Sequence, residues 1–143
     1  MKLVIAGLVQ DVKYFEEKIK PYLNHKDVIY WGNADPEQRN ELLGGAYALL
    51  HPVNFEEPFG LIIVESYFCG TPVVAFKRGS MPELVIEGKT GFLVNNNYEA
   101  VEALKNIKNL NRKDCRDLAN SKFTRSIMAE NYLKVYKQIL KGK

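Results

Sequence analysis

Little in this chain announces a mechanism by itself. Only two of its 143 residues are cysteine, and Cys69 and Cys115 stand in no Cys-x-x-Cys or Cys/His spacing, so neither a disulfide framework nor a zinc site is indicated. Reduced thiols in a cytoplasmic protein are the plain reading. Charge of one sign is equally scarce: 20 basic against 17 acidic residues leave +3, scattered along the chain, which makes no electropositive footprint for nucleic acid. No nucleic-acid partner is expected. No run approaches the roughly 18 consecutive apolar residues of a membrane helix, and the amino terminus lacks the basic-then-apolar pattern of a signal peptide. Repeats and low-complexity tracts are absent too. His25 and His51 have no carboxylate or cysteine at metal spacing, and His51, at the end of an apolar run, reads as a packed or capping residue rather than a base.

What is present is the composition of an ordinary globular domain, 46% apolar and 26% charged, far from that of a disordered chain. The length suits one domain over residues 1–143 with a real hydrophobic core and no internal boundary. The chain opens on a short apolar strand, Met1 to Ala6, closed by Gly7. A helix follows from the candidate N-cap Asp11, with Val12, Phe15, Ile19 and Leu23 at three- and four-residue steps until Pro21 bends or ends it. Val28 to Trp31 is a second strand, and Asp35-Pro36 opens a helix through about Leu43 that Gly44-Gly45 stops. Tyr47 to His51, Pro72 to Phe76 and Phe92 to Val94 supply three more strands. The remainder is helical, with Tyr98, Val101, Leu104 and Ile107 on one apolar face and Met128, Tyr132, Val135 or Tyr136, and Ile139 on another. Such alternation predicts the α/β class, a Rossmann-like doubly wound parallel sheet of about five strands with helices on both faces. Ligands of such sheets sit beyond the carboxyl ends of the strands.

The segment Asn54 to Glu65 lies just there, after the third strand. Leu61 to Val64 has strand propensity, but Gly70 and Pro72 mark a helix stop and a new strand, so a helix is expected from Gly60 onward. A glycine at a helix start exposes backbone N–H groups to which an anion such as a diphosphate can come close, with the helix dipole adding attraction. Glu65, one to two turns inside the helix, suits a pair of ribose hydroxyls, and Glu57 in the preceding loop would reach the sugar side. The competing reading makes Glu57 and Glu65 two surface carboxylates flanking an apolar helix.

Two glutamates, Glu57 and Glu65, with seven residues between them that include Pro58-Phe59-Gly60, resemble the hallmark of the retaining glycosyltransferases of family four, also called group one. The resemblance continues through Cys69-Gly70-Thr71-Pro72-Val73-Val74-Ala75, Gly79-Ser80-Met81-Pro82-Glu83 and Glu87-Gly88-Lys89-Thr90-Gly91-Phe92-Leu93-Val94. Upstream, Val28 to Gly32 resembles the strand before the nucleoside pocket, and Ala129-Glu130-Asn131-Tyr132 with Tyr136 the closing helix.

The resemblance implies half of a two-Rossmann-domain enzyme, the part that binds a nucleotide sugar. Glu65 becomes the ribose ligand, Glu57 the donor-sugar contact and catalytic residue, and Phe59, Gly60 and Leu61 the phosphate and sugar clamp. Ala34 would touch the base through its backbone, and Arg39 would reach toward the nucleotide, with a solvated arginine as its competing reading. No cofactor or metal is implied, since the family works without one and the chain has no Asp-x-Asp motif. The family's acceptor domain, and the strand whose Arg and Lys clamp the diphosphate, have no counterpart here, so the isolated chain is expected to bind its donor weakly and to need an acceptor domain or subunit. The alternative is a non-catalytic nucleotide-binding or interaction module. Without the family's first strand, the Leu3 and Tyr47 strands are expected to pair directly, in the order 2-1-3-4-5. Lys134, Lys137, Lys141 and Lys143 on the last helix suggest a solvated face, with peripheral contact to an anionic membrane as the competing reading.

Overall fold

The computed structural model of the chain describes residues 1–23 and 25–142. They form two compact units, Met1–Glu41 and Leu42–Lys143; Lys143 itself lies outside the described residues. The first unit holds the parallel strands β1 (Leu3–Ala6) and β2 (Val28–Gly32), paired Leu3 with Val28 through Ala6 with Gly32. The Tyr30 hydroxyl donates to the Gly7 carbonyl at 2.7 Å and its ring packs on Phe15 at 4.9 Å. The Asp11 cap is in place, its carboxylate accepting from the Tyr14 N–H at 2.8 Å. The helix it starts is not uniform, however. One α turn, α1 (Val12–Tyr14), passes into a π segment at Phe15–Ile19 and a 3-10 turn at Lys20–Tyr22. Pro21 accounts for the tightening, since a ring without an N–H cannot continue the wider ladder.

Helix α2 (Pro36–Gly45) begins in a reciprocal cap: the Asp35 carboxylate accepts from the Gln38 N–H, and the Gln38 side chain accepts from the Asp35 N–H. It runs through both glycines rather than stopping before them. Its last carbonyls are satisfied from elsewhere in the chain: Arg112 donates to Gly44 and Ala46 at 2.8 and 2.7 Å, and the Thr71 hydroxyl donates to Leu43 at 2.6 Å. That capping removes the need for a glycine stop.

The second unit holds a three-stranded parallel sheet, β3 (Leu49–His51), β4 (Val73–Phe76) and β5 (Gly91–Val94) in that order, flanked by helices. Strand alternation sends Val73 and Ala75 to one face, into a core with Ile63 and Tyr67 of α3 (Leu61–Phe68), Met81 and Leu84 of α4 (Met81–Leu84), and Cys115 and Ala119 of α6 (Arg112–Lys122). Val74 and Val94 point to the other face, against Ala103 of α5 (Asn97–Asn106) and Ile107. Within each sheet the strands run parallel, as expected of the α/β class.

Three expectations are corrected. Among the described residues β1 pairs with β2 and β3 with β4, so the order 2-1-3-4-5 is not formed; direct pairing of β1 with β3 would have required moving half a sheet by about 4.8 Å. On α5 the face toward the core is Ala100, Ala103, Leu104 and Ile107, while Tyr98 is 75% exposed and Val101 54%. The long final helix α7 (Arg125–Lys141) buries none of its residues, and Met128, Tyr132, Val135, Tyr136 and Ile139 are all exposed, as are Lys134, Lys137 and Lys141. A stripe of apolar residues marks a side that could be covered, without saying what covers it.

Candidate active site

The segment from Glu57 to Glu65 connects β3 to the sheet's first crossover helix. Leu61–Phe68 is helical despite its β-branched run, because Gly60 and Gly70, both with positive φ, turn the chain at its two ends. Gly60 has φ 84° and ψ 62°, the left-handed region, and is buried. A Cβ there would lie 2.8 Å from Met81 Cε and 3.2 Å from Ile63 Cγ1, so glycine is required by both conformation and space.

The start of α3 has no side-chain cap, and neither has the single-turn α4, whereas Asp11, Asn96, Asn111 and Thr124 each accept a backbone N–H at the start of α1, α5, α6 and α7. The first turn of α3 therefore carries the positive end of the helix dipole with no side chain accepting from it, while the Ile63 N–H donates to the Gly60 carbonyl at 3.0 Å. Leu61 beside it is 70% exposed and Phe59 44%. Phe59 also meets Phe123 edge to face at 6.4 Å.

The loop before Gly60 is fastened to the loop between β4 and α4. The Gly79 N–H donates to the Glu56 carboxylate at 2.5 Å, the Ser80 N–H to the Glu57 carbonyl at 2.9 Å, and the Ser80 hydroxyl to the Phe59 carbonyl at 2.8 Å. Gly79 has φ 52°, and a Cβ on it would fall 2.3 Å from Glu57 O. Its backbone thus passes directly against the backbone of the glutamate. Sequence reasoning assigned no role to Glu56, Gly79 or Ser80; the glycine within Gly79-Ser80-Met81-Pro82 was the available signal.

Behind the loop sits His51, the last residue of β3, only 9% exposed. Its Nε2 is 3.9 Å from the Glu57 carboxylate, and the two side chains are 11% and 19% exposed. Burial pushes the imidazole below its usual pKa, and the Glu57 charge opposes that in part. His51 is a packed strand-end residue, and it packs beside Glu57. The far side of α3 is anchored by Tyr67, whose hydroxyl accepts from Thr90 at 3.1 Å and donates to the Leu84 carbonyl at 3.4 Å. Burial raises its pKa well above the usual phenol value.

Glu57, Phe59, Gly60, Leu61 and Glu65 therefore share one loop and helix start, with Glu57 and Glu65 both partly buried. Ala34 and Arg39, both half-buried, belong to the first unit, Ala34 in the loop before α2 and Arg39 within it. Among the described residues no group of three or more His, Cys, Asp or Glu is placed to hold a metal ion. No helix of the described residues is long and apolar enough to cross a membrane.

Comparison with known proteins points the same way. The family model "Glycosyl transferases group 1" matches residues 1–124. The chain is 33% identical over 120 residues to Alpha-1,3/1,6-mannosyltransferase ALG2 of Dictyostelium discoideum, a match covering 82% of this chain and 27% of that protein. The structure superposes on AviGT4, a glycosyltransferase involved in Avilamycin A biosynthesis, with a TM-score of 0.80 at 26% identity, covering 99% of this chain and 44% of AviGT4. It shares its fold with Anabaena HepE, whose structure is of a complex with UDP-glucose (TM-score 0.75, 22% identity, 96% of this chain and 41% of that one). The chain thus spans less than half the length of the relatives it matches. With a family model spanning most of its length, the chain belongs to the group 1 glycosyltransferases.

Proposed function

We propose that the Glu57–Glu65 segment is the donor site of a retaining glycosyltransferase, which transfers a sugar from a nucleoside-diphosphate sugar to an acceptor in the cytoplasm. The observation that carries this is the uncapped start of α3 at the buried, left-handed Gly60, flanked by Glu57 and Glu65. In this reading the diphosphate lies against the N–H groups of the first turn, where fixed dipoles take up charge that grows as the sugar–phosphate bond breaks. The Glu65 carboxylate accepts from the ribose hydroxyls. Glu57 accepts from hydroxyls of the transferred sugar and orients its anomeric carbon toward the acceptor oxygen; Phe59 and Leu61 line that space. The nucleoside diphosphate leaves as the new glycosidic bond forms on the same face. Ala34 and Arg39 keep the roles the family pattern gives them, at the base and toward the nucleotide. No metal or cofactor takes part in this reading, and the acceptor site belongs to a separate domain or subunit.

Amide resonances test the assignment. On titration of the chain with UDP-glucose and GDP-mannose to millimolar concentration, Gly60, Leu61 and Glu65 are expected to shift with at least one of them. Shifts confined to residues elsewhere would refute the site.

A further inference from the structure

Strand β3 ends in a buried polar group that the donor-site reading leaves unused. Period-two alternation puts His51 on the same face as Leu49, which packs against the core beneath α3, while Leu50 borders the opposite core under α5. Its ring therefore enters the side of the sheet on which α3 begins. There Nε2 is fully buried and has no hydrogen-bond partner. Buried ring nitrogens are rarely left so, and one without a partner in a native fold calls for an explanation. The carboxylate of Glu57 stands 3.9 Å from it, about 1 Å beyond the length of a charge-assisted hydrogen bond.

Resting on the donor-site reading above, we propose that His51 is the positioning residue for Glu57: its Nε2–H closes on the Glu57 carboxylate when a nucleotide sugar fills the site, fixing the carboxylate oxygens that face the sugar. The partial burial of the Glu57 side chain suits this, because a carboxylate kept from bulk water holds its orientation through whatever donor lies beside it. The loop's backbone is already fixed by Ser80 at the Glu57 and Phe59 carbonyls, so the remaining freedom lies in the side chain, which is what His51 would restrain. The imidazole acts here as a neutral donor, consistent with the lowering of its pKa by burial. It touches no substrate.

The test compares two ligands and two variants in the full chain. UDP and UDP-glucose, and in parallel GDP and GDP-mannose, are titrated into the wild type, His51→Leu and His51→Gln, the last placing an amide N–H near the position of Nε2. His51→Leu is expected to weaken the nucleotide sugar about tenfold, the scale of one charged hydrogen bond, and to leave the bare nucleoside diphosphate unchanged; His51→Gln restores most of the loss. In a Glu57→Gln background the His51→Leu effect disappears. Equal losses for the diphosphate and the sugar nucleotide, or an undiminished effect without the Glu57 charge, would overturn the inference. Ring-nitrogen resonances of the ligand-free chain decide the pair independently of binding: a neutral, Nε2-protonated imidazole whose Nε2 shift responds to Glu57→Gln supports it, and an Nδ1-protonated or unresponsive ring refutes it. If the pair is present in those spectra and neither sugar nucleotide binds, the donor-site reading fails and the positioning role falls with it.

Discussion

Gly79→Ala should dislodge the Glu57 loop, and the structure allows its cost to be separated into parts. The added Cβ would stand 2.3 Å from Glu57 O, 2.5 Å from Glu57 N and 2.9 Å from Glu56 C, all backbone atoms, against the roughly 3.5 Å of ordinary contact. No rotamer change relieves this; the two loops must separate by about 1 Å. Separation breaks the Gly79 N–H bond to Glu56, the Ser80 N–H bond to the Glu57 carbonyl and the Ser80 hydroxyl bond to the Phe59 carbonyl, about 1 kcal/mol each. The left-handed φ of 52° adds about 1 kcal/mol for any residue with a Cβ. Gly88 is the internal control, since its φ is 68° and a Cβ on it meets nothing within 4 Å. Gly88→Ala should therefore cost about 1 kcal/mol and Gly79→Ala about 3–4 kcal/mol. With a urea slope of about 2 kcal/mol/M the midpoints should fall by about 0.5 M and about 1.5–2 M. Far-UV circular dichroism is the appropriate probe, because Trp31, the only tryptophan, lies in β2 of the first unit. Midpoints lowered equally in the two variants would refute the reasoning, since strain without collision would then account for both.

Other perturbations address single groups. Glu65→Gln should weaken nucleoside diphosphate binding by about 1–2 kcal/mol, whereas Glu57→Gln should spare the bare diphosphate and harm only the sugar nucleotide; calorimetry showing equal losses of diphosphate binding would remove the division of roles. For His51 the folded pKa lies below the unfolded value near 6.5, so the unfolded chain takes up the proton first and stability falls as pH drops from about 6.5 toward the lower folded value. His51→Gln should flatten the decline in urea midpoint between pH 7.5 and 5, and an unchanged slope would count against it. Burial pushes the Cys115 thiol up to about 11, so a thiol reagent at pH 8 should modify the partly exposed Cys69 first and Cys115 only on unfolding; rapid labelling of both in the native protein would contradict this. Arg112→Lys should cost about 2 kcal/mol, because an ammonium cannot replace the guanidinium fork that reaches the Gly44 and Ala46 carbonyls and Thr71; a thermal midpoint within error of the wild type would show that the capping is dispensable.

The sequence made the start of α3 legible because its signals are local. A glycine before an apolar run, a glycine and proline after it, and a loop beyond a strand end are read within about fifteen residues. Asp11 and Asp35 were legible as caps for the same reason, their partners lying three residues away. What escaped is held by long-range contact. Gly79 reaches Glu56 across 23 residues, and Arg112 reaches Ala46 and Gly44 across 66 and 68; no periodicity reports such pairs. The faces of α5 and α7 failed differently. Apolar spacing fixes which residues share a side, but on α5 the small residues Ala100 and Ala103 approach the sheet and larger ones are left outside. Pairing of β1 with β3 was inferred from the cost of unpaired edges, and edge cost alone does not choose a partner.

Glu56 and Glu57 look interchangeable as neighbours in a sequence, yet an anion site at α3 needs them to be used differently. Two free carboxylates near a helix N-terminus would compete with a diphosphate for the same positive potential. The fold engages both. Glu56 accepts the Gly79 N–H and so acts as a pin between two loops, and Glu57 has a buried imidazole beside it and a backbone carbonyl bound by Ser80. The first turn has no side-chain cap of its own, and its Ile63 N–H donates to the Gly60 carbonyl at 3.0 Å. Charge beside the start of α3 is acidic in composition but already committed in geometry, so a count of charges there does not by itself set the sign of a ligand.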